Sequence, residues 1–298
     1  MPRGFREKLQ KLTYMDFEGH DRYDAITLDL SDEELLSELG RAPTGDLYLG
    51  KYSIEEIEEM FRRYGIMDKL AKMDFSDIKI EIKTSDVYSH RLYVYTQVKD
   101  YDHMLVELRL REGWFAPKEH FVPKIELGSM RMILVDWLML QNPRRNFDDK
   151  RPALPEQRYP GLGILQDLIP MVMEVVKETG RKGVLDVPEH YHGALFYSRW
   201  FRFYSPEIEG RFLAMQRDLS AHPLHLATHC IDKGALMNKS TGEYESWRPG
   251  EQILPLSDEL DHYFNHKAYM EIRDKYFLES NYELDFDKYE RMKELDEK

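Results

Sequence analysis

Through the middle of the chain, apolar positions recur with periods that name the elements. The runs "DIKIEIKT" (77–84), "RLYVYTQV" (91–98), "MLVELRLREG" (104–113) and "RMILVDWLML" (131–140) are β-branched, aromatic or alternating, which predicts four strands. "VKDYDH" is a tight connection between the second and third, and the fourth run is apolar on both faces, as a strand at the centre of a sheet would be. Ahead of them, "DLYLGKY" (46–52) alternates like a short strand. "SIEEIEEMFRRYG" (53–65) starts with a serine cap and a glutamate at the third helical position, then spaces Ile54, Ile57 and Phe61 along one helix face. Behind them, a glycine-bearing turn at 161–163 opens a helix. A buried strand at "KGVLDVP" (182–188), a helix at "EHYHGALFYSRWF" and a last core strand at "RFLAMQRDL" (211–219) follow.

This order predicts a mixed α/β fold of the α+β kind, a mostly antiparallel central sheet flanked by helices. It divides the chain into an N-terminal extension, 1–45, with a helix at "SDEELLSEL" capped by Ser31 and Glu34, a main domain, 46–220, and a C-terminal loop and helix extension, 221–298. No internal period of repeat length and no low-complexity tract is present.

Composition narrows the function classes. The chain has 298 residues, 42% of them hydrophobic, which suffices for a large core. A net charge of -13, with no basic patch longer than Arg144-Arg145, argues against nucleic acid and anionic membranes as partners. The single cysteine, Cys230, excludes an internal disulfide framework and a cysteine-based zinc site. No run reaches the roughly 18 apolar residues of a spanning helix, and the N-terminus lacks the apolar core of a signal peptide, so a soluble, cytoplasmic protein is expected.

The stretch "EQRYPGLGILQDLIP" (156–170) places two glycines behind an arginine and in front of a helical apolar run. A helix start offers unpaired N–H groups and roughly half a positive charge, glycines let an anion approach them, and Arg158 adds a charge-assisted contact. Pro160-Gly161 is equally the signature of a plain type II turn. Neither the P-loop nor the dinucleotide-binding glycine pattern fits. The spacing Arg158-x-x-Gly161-x-Gly163 resembles the R/Q-x-x-G-x-G/A acyl-CoA loop of the GNAT superfamily of N-acetyltransferases. "LQNP" before it, "VLDVP" after it and "ALFYSRWF" (194–201) are similar to that family's flanking segments, over about residues 46–220. The chain departs from the pattern in a longer loop at 142–157, in Pro170 inside the helix and in Phe201 where the family has glycine.

The resemblance implies an acyltransferase that moves an acetyl or other acyl group from acyl-CoA to an amine on a small molecule or protein, by direct transfer in a ternary complex. It implies a diphosphate cradle at Arg158, Gly161, Leu162, Gly163 and Ile164, and free backbone groups for the pantetheine arm at Met139, Leu140 and Gln141. Tyr197 matches the motif's tyrosine, the acid for the departing sulfur; otherwise it is a ring packed in the core. Asp136, a carboxylate inside an apolar strand, is a candidate base or one half of an ion pair with an arginine, and Glu107 is an alternative base. Period-2 alternation puts Asp136 on one face with Leu138 and Leu140. His225, His229 and Cys230 read as a surface or capping cluster, and His190 or His192 as a solvent position or the lining of an acceptor cleft; no metal is expected. A catalytically inactive GNAT-fold binding module and an interaction protein without a CoA site remain alternatives, and a homo-oligomer is compatible with the sequence.

Overall fold

The computed structural model describes residues 47–84, 89–117, 119–123 and 125–296. The expected N-terminal extension and its helix at 31–39 lie outside the described residues.

Helix α1 (Ile54–Arg63) begins as the sequence dictates: Ser53 accepts from the Glu56 N–H, and the Glu56 carboxylate takes the Ser53 N–H at 2.8 Å. Ile57, Met60 and Phe61 face inward, while Ile54 in the first turn stays 39% exposed. Instead of the short strand expected at 46–52, Leu49 and Gly50 take left-handed conformations and close a turn, bridged by Tyr48 and Tyr52.

Helix α2 (Ile66–Lys72) leads into a meander of β1 (Ile78–Lys83), β2 (Ser89–Thr96), β3 (Met104–Phe115) and β4 (Met130–Leu140), each antiparallel to the one before. Helix α3 (Leu165–Glu178) crosses to β5 (Gly183–Asp186), parallel to β4. Then come α4 (Tyr191–Tyr197), β6 (Arg202–Phe203), α5 (Pro206–Leu219), α6 (Leu224–Asp232), β7 (Leu236–Asn238), β8 (Glu243–Glu245) and β9 (Gln252–Pro255). Helices α7 (Asp258–Asn265) and α8 (Lys267–Glu279), β10 (Tyr282–Leu284) and α9 (Phe286–Asp296) end the described chain.

The architecture is α+β: a seven-stranded, mostly antiparallel sheet in the order β1-β2-β3-β4-β5-β9-β6, a small sheet β10-β7-β8, and nine helices among the described residues. Helices α1, α2 and α3 bury one face of β1–β4 through Phe61, Leu70, Val172 and Val176 against Val94, Val106, Leu108 and Leu110. Helices α7 and α8 cover the opposite face around β4, β5 and β9. Further toward β2, the apolar cluster on that face among the described residues is small: Tyr93, Tyr95 and Met104, with Met139 packed against them. Among the described residues, no helix is long and apolar enough to cross a membrane.

Two further expectations change. Residues 211–219 are the body of helix α5, not a strand: Ser205 caps it, Pro206 starts it, and Phe212, Met215 and Leu219 are buried at helical spacing. The segment expected as a C-terminal extension, 221–298, supplies β9, which sits inside the main sheet between β5 and β6.

Candidate functional site

Strands β4 and β5 pair only at Ile133–Val184 and Leu134–Leu185. Beyond that, β5 ends at Asp186 while β4 runs on to Leu140, leaving a fork. A bulge marks the point of departure. Arg109 pairs with Trp137 and Leu110 with Val135, so Asp136 is the extra residue in β4.

This bulge corrects the face assignment of Asp136. Leu138 and Leu140 pack with the helix-covered core, whereas Asp136 turns to Arg111 on the other face at 2.9 Å, its carboxylate nearly buried. Strict alternation fails because the extra residue shifts the period by one. Glu107 lies on that other face, in a row with Tyr93 and Met139.

Backbone direction at the fork follows from one bond, the Gln141 N–H donated to Leu105 of the loop end of β3 at 3.0 Å. Antiparallel alternation then turns the Met139 and Gln141 groups toward β3, and those of Leu138 and Leu140 toward the fork. Of the three residues expected to offer free groups there, only Leu140 faces it, and Leu138 joins it. The Gln141 side chain is also spent within the fold, donating to the Met104 carbonyl at 3.0 Å.

The glycine turn is stitched to the end of β4. Asn142 N–H donates to the Pro160 carbonyl at 2.7 Å, and Leu162 N–H to the Leu140 carbonyl at 3.2 Å. The Leu162 amide, expected in the cradle, is therefore occupied, and the Leu140 carbonyl with it. The amides of Gly163, Ile164, Leu165 and Gln166 make no hydrogen bond among the described residues. They open the 14-residue helix α3, whose dipole adds positive potential. Gly163 has φ +76, and a Cβ there would meet nothing within 4 Å. Helix α3 continues through Pro170, which leaves the Gln166 carbonyl without its usual donor.

Arg158 is not aimed at these amides. Its guanidinium contacts Asp102 at 2.9 Å, stacks 4.8 Å from the Tyr101 ring, and shares Asp102 with the Tyr159 hydroxyl.

Tyr197 ends α4, its ring 5.2 Å from that of Phe201 and packed against the helix-covered core. Burial, and then the neighbouring Asp186, push its phenol well above its ordinary value, so it remains an O–H donor. Asp186 is the last residue of β5, at the fork, and burial pushes its carboxyl up to about 7, while a bond from Val187 N–H pulls the other way. Across the strand pair stands Gln252, fully buried, donating to the Ala194 carbonyl at 3.2 Å. Sequence reasoning missed Asp186 and Leu138. For Asp186 the signal was present: one carboxylate inside the buried run "VLDVP", the same anomaly that singled out Asp136.

The histidines divide. His229 Nε2 lies 3.1 Å from the Ala153 carbonyl and fastens the 142–157 loop to α6, with Cys230 buried beside it. His190 and His192 stack in parallel at 5.2 Å at the start of α4. Burial, and then His190, lower His192 to about 4.

Compared with protein-family models and with curated proteins, the chain matches none. The chemistry of the site therefore rests on its geometry: amides without a hydrogen bond among the described residues at a helix start, an unzipped strand edge leading from them, and a buried carboxyl, Asp186, where the strands part, close enough to the Tyr197 phenol to raise its pKa.

Proposed function

We propose that the chain is an acyl-CoA-dependent N-acyltransferase, the activity that its glycine turn resembles in the GNAT superfamily. The observation behind this reading is the run of four amides, Gly163 to Gln166, that make no hydrogen bond among the described residues, beside the β4–β5 fork. A diphosphate suits such a cradle because each N–H donates without rearrangement and the helix dipole favours the charge. Leu138 and the Leu140 N–H, turned into the fork, match the alternating amide groups of a pantetheine arm.

Tyr197 and Asp186 share the proton work. The acceptor amine attacks the thioester carbonyl, a C–N bond forms, and the C–S bond breaks. Tyr197 O–H donates toward the departing sulfur, and Asp186, near neutrality, takes the proton released by the amine. This assigns the base to Asp186 instead of Asp136, whose carboxylate is committed to Arg111.

A CoA-binding module without turnover is the second reading, favoured by the ion pairs that hold Arg158 and Asp136. A thermal-shift titration with acetyl-CoA, CoA and ATP tests both readings. Stabilisation by both CoA compounds and not by ATP is expected, and no CoA effect would end both. Thiol release with a panel of amines then separates enzyme from module.

A further inference from the structure

A second cluster lies at the N-terminus of α4. The ligand atoms of Glu156, Glu189 and His190 all fall within 4.8 Å of one another. They come from the end of the 142–157 loop and the turn into α4.

The imidazole of His190 is oriented from behind. Its Nδ1 lies 2.9 Å from Oδ2 of Asp232 on α6, and in the neutral ring whose Nδ1 donates to that carboxylate the lone pair falls on Nε2. Nε2 is shut off from solvent, has no hydrogen-bond partner among the described residues, and faces Glu156 Oε2 at 3.7 Å. A carboxylate behind a histidine whose other nitrogen meets further carboxylates is the arrangement that holds an imidazole on a metal ion. The spacing agrees. A protonated Nε2 would draw Glu156 to about 2.7–2.9 Å, whereas two donors bound to one zinc ion at about 2.0–2.1 Å sit roughly 3.3 Å apart.

We propose that Glu156, Glu189 and His190 bind one divalent transition-metal ion of the zinc class, with Asp232 as the positioning residue. One imidazole and two carboxylates make three protein ligands and leave a fourth position to water. The ion clips the 142–157 loop to α4 and, through Asp232, to α6. The proposal stands apart from the acyl-transfer reading.

The full-length protein, stripped with EDTA and dialysed, is titrated with Zn2+ against a chromophoric chelator and with Co2+ by visible absorption. One equivalent should bind, with a Kd in the micromolar range or tighter. Glu156→Gln, on an exposed side chain, should weaken binding at least tenfold, and Asp232→Asn about ten- to a hundredfold. His190→Ala should abolish the cobalt bands, and melting of the metal-free variants confirms that they fold. Absence of stoichiometric binding, or equal affinity in wild type and Glu156→Gln, overturns the proposal.

Discussion

Gly163 joins a left-handed backbone to open space above its Cα, so a substitution there acts through both strain and charge. Asparagine and aspartate tolerate this backbone equally well and differ by one charge. Gly163→Asn should keep most of the CoA-induced thermal shift and Gly163→Asp should lose it; equal shifts would remove the diphosphate from this turn. Tyr197→Phe keeps the packing against Phe201 and removes only the O–H donor. It should lower kcat by about 100-fold with the CoA shift intact, measured by thiol release. Asp186 makes a prediction about pH. Its folded pKa, about 7, lies above the unfolded value of 3.8, so the folded state holds the proton more tightly between them. Stability is therefore greatest below the unfolded value and falls as pH rises toward 7, by at most about 4 kcal/mol. Asp186→Asn should flatten this decline in denaturant melts between pH 4 and 8, and should abolish the rise of rate with pH near 7; an unchanged profile would take Asp186 out of the proton path. The two carboxylates also show what a one-dimensional pattern conceals. Asp136 was conspicuous in the sequence, but its face depended on a bulge that only pairing with β3 creates, whereas Asp186 is buried in a sheet whose next strand, β9, pairs Gln252 with it from some 66 residues further on.

At the scale of elements, legibility followed length and locality. The capping box of α1 and the long strands β1–β4 each carry their own signal, because one buried face repeats within the element. Helix α5 was misread because a strand and a buried helix both present apolar runs, and the serine cap with Pro206 beyond the run was the missing arbiter. Strands β6 and β9, of two and four residues, hold no period of their own: β9 forms on the edge that β5 offers, and β6 on the edge of β9. The close approach of α5 and α8 was equally hidden. Gly210 of α5 faces the Arg273 carbonyl, and an added Cβ would stand 2.8 Å from Tyr276 Cβ and 3.0 Å from Phe277 N. Alanine favours helices, yet Gly210→Ala should destabilise the protein by about 1–3 kcal/mol because backbone must shift to admit the methyl group. Thermal melting should fall by roughly 5 °C, and an unchanged or higher Tm would show that the two helices separate easily.

For the whole molecule, the position of β9 decides how much of the chain is one folding unit. A boundary at 220 looked natural because the segment resembling an acyltransferase ends there and proline-bearing loop follows. In three dimensions that cut removes the strand bonded to both β5 and β6. It would expose the backbone edge of β5 and uncover Leu185, Met132 and Tyr204, now buried under Tyr263, Phe264 and Tyr269 of α7 and α8. An unpaired edge beside freshly exposed aromatic core favours aggregation. It also removes Gln252 from its place opposite Asp186, so the loss reaches the fork itself. A chain ending at residue 220 should therefore lack a cooperative melting transition and bind no CoA. Co-expression with the 221–298 segment should restore both, since the missing strand docks by backbone pairing along a preformed edge. A truncated chain that melts cooperatively near the full-length Tm would make the C-terminal segment an appendage after all, and would show that β5 is held in the sheet by β4 and α3 alone.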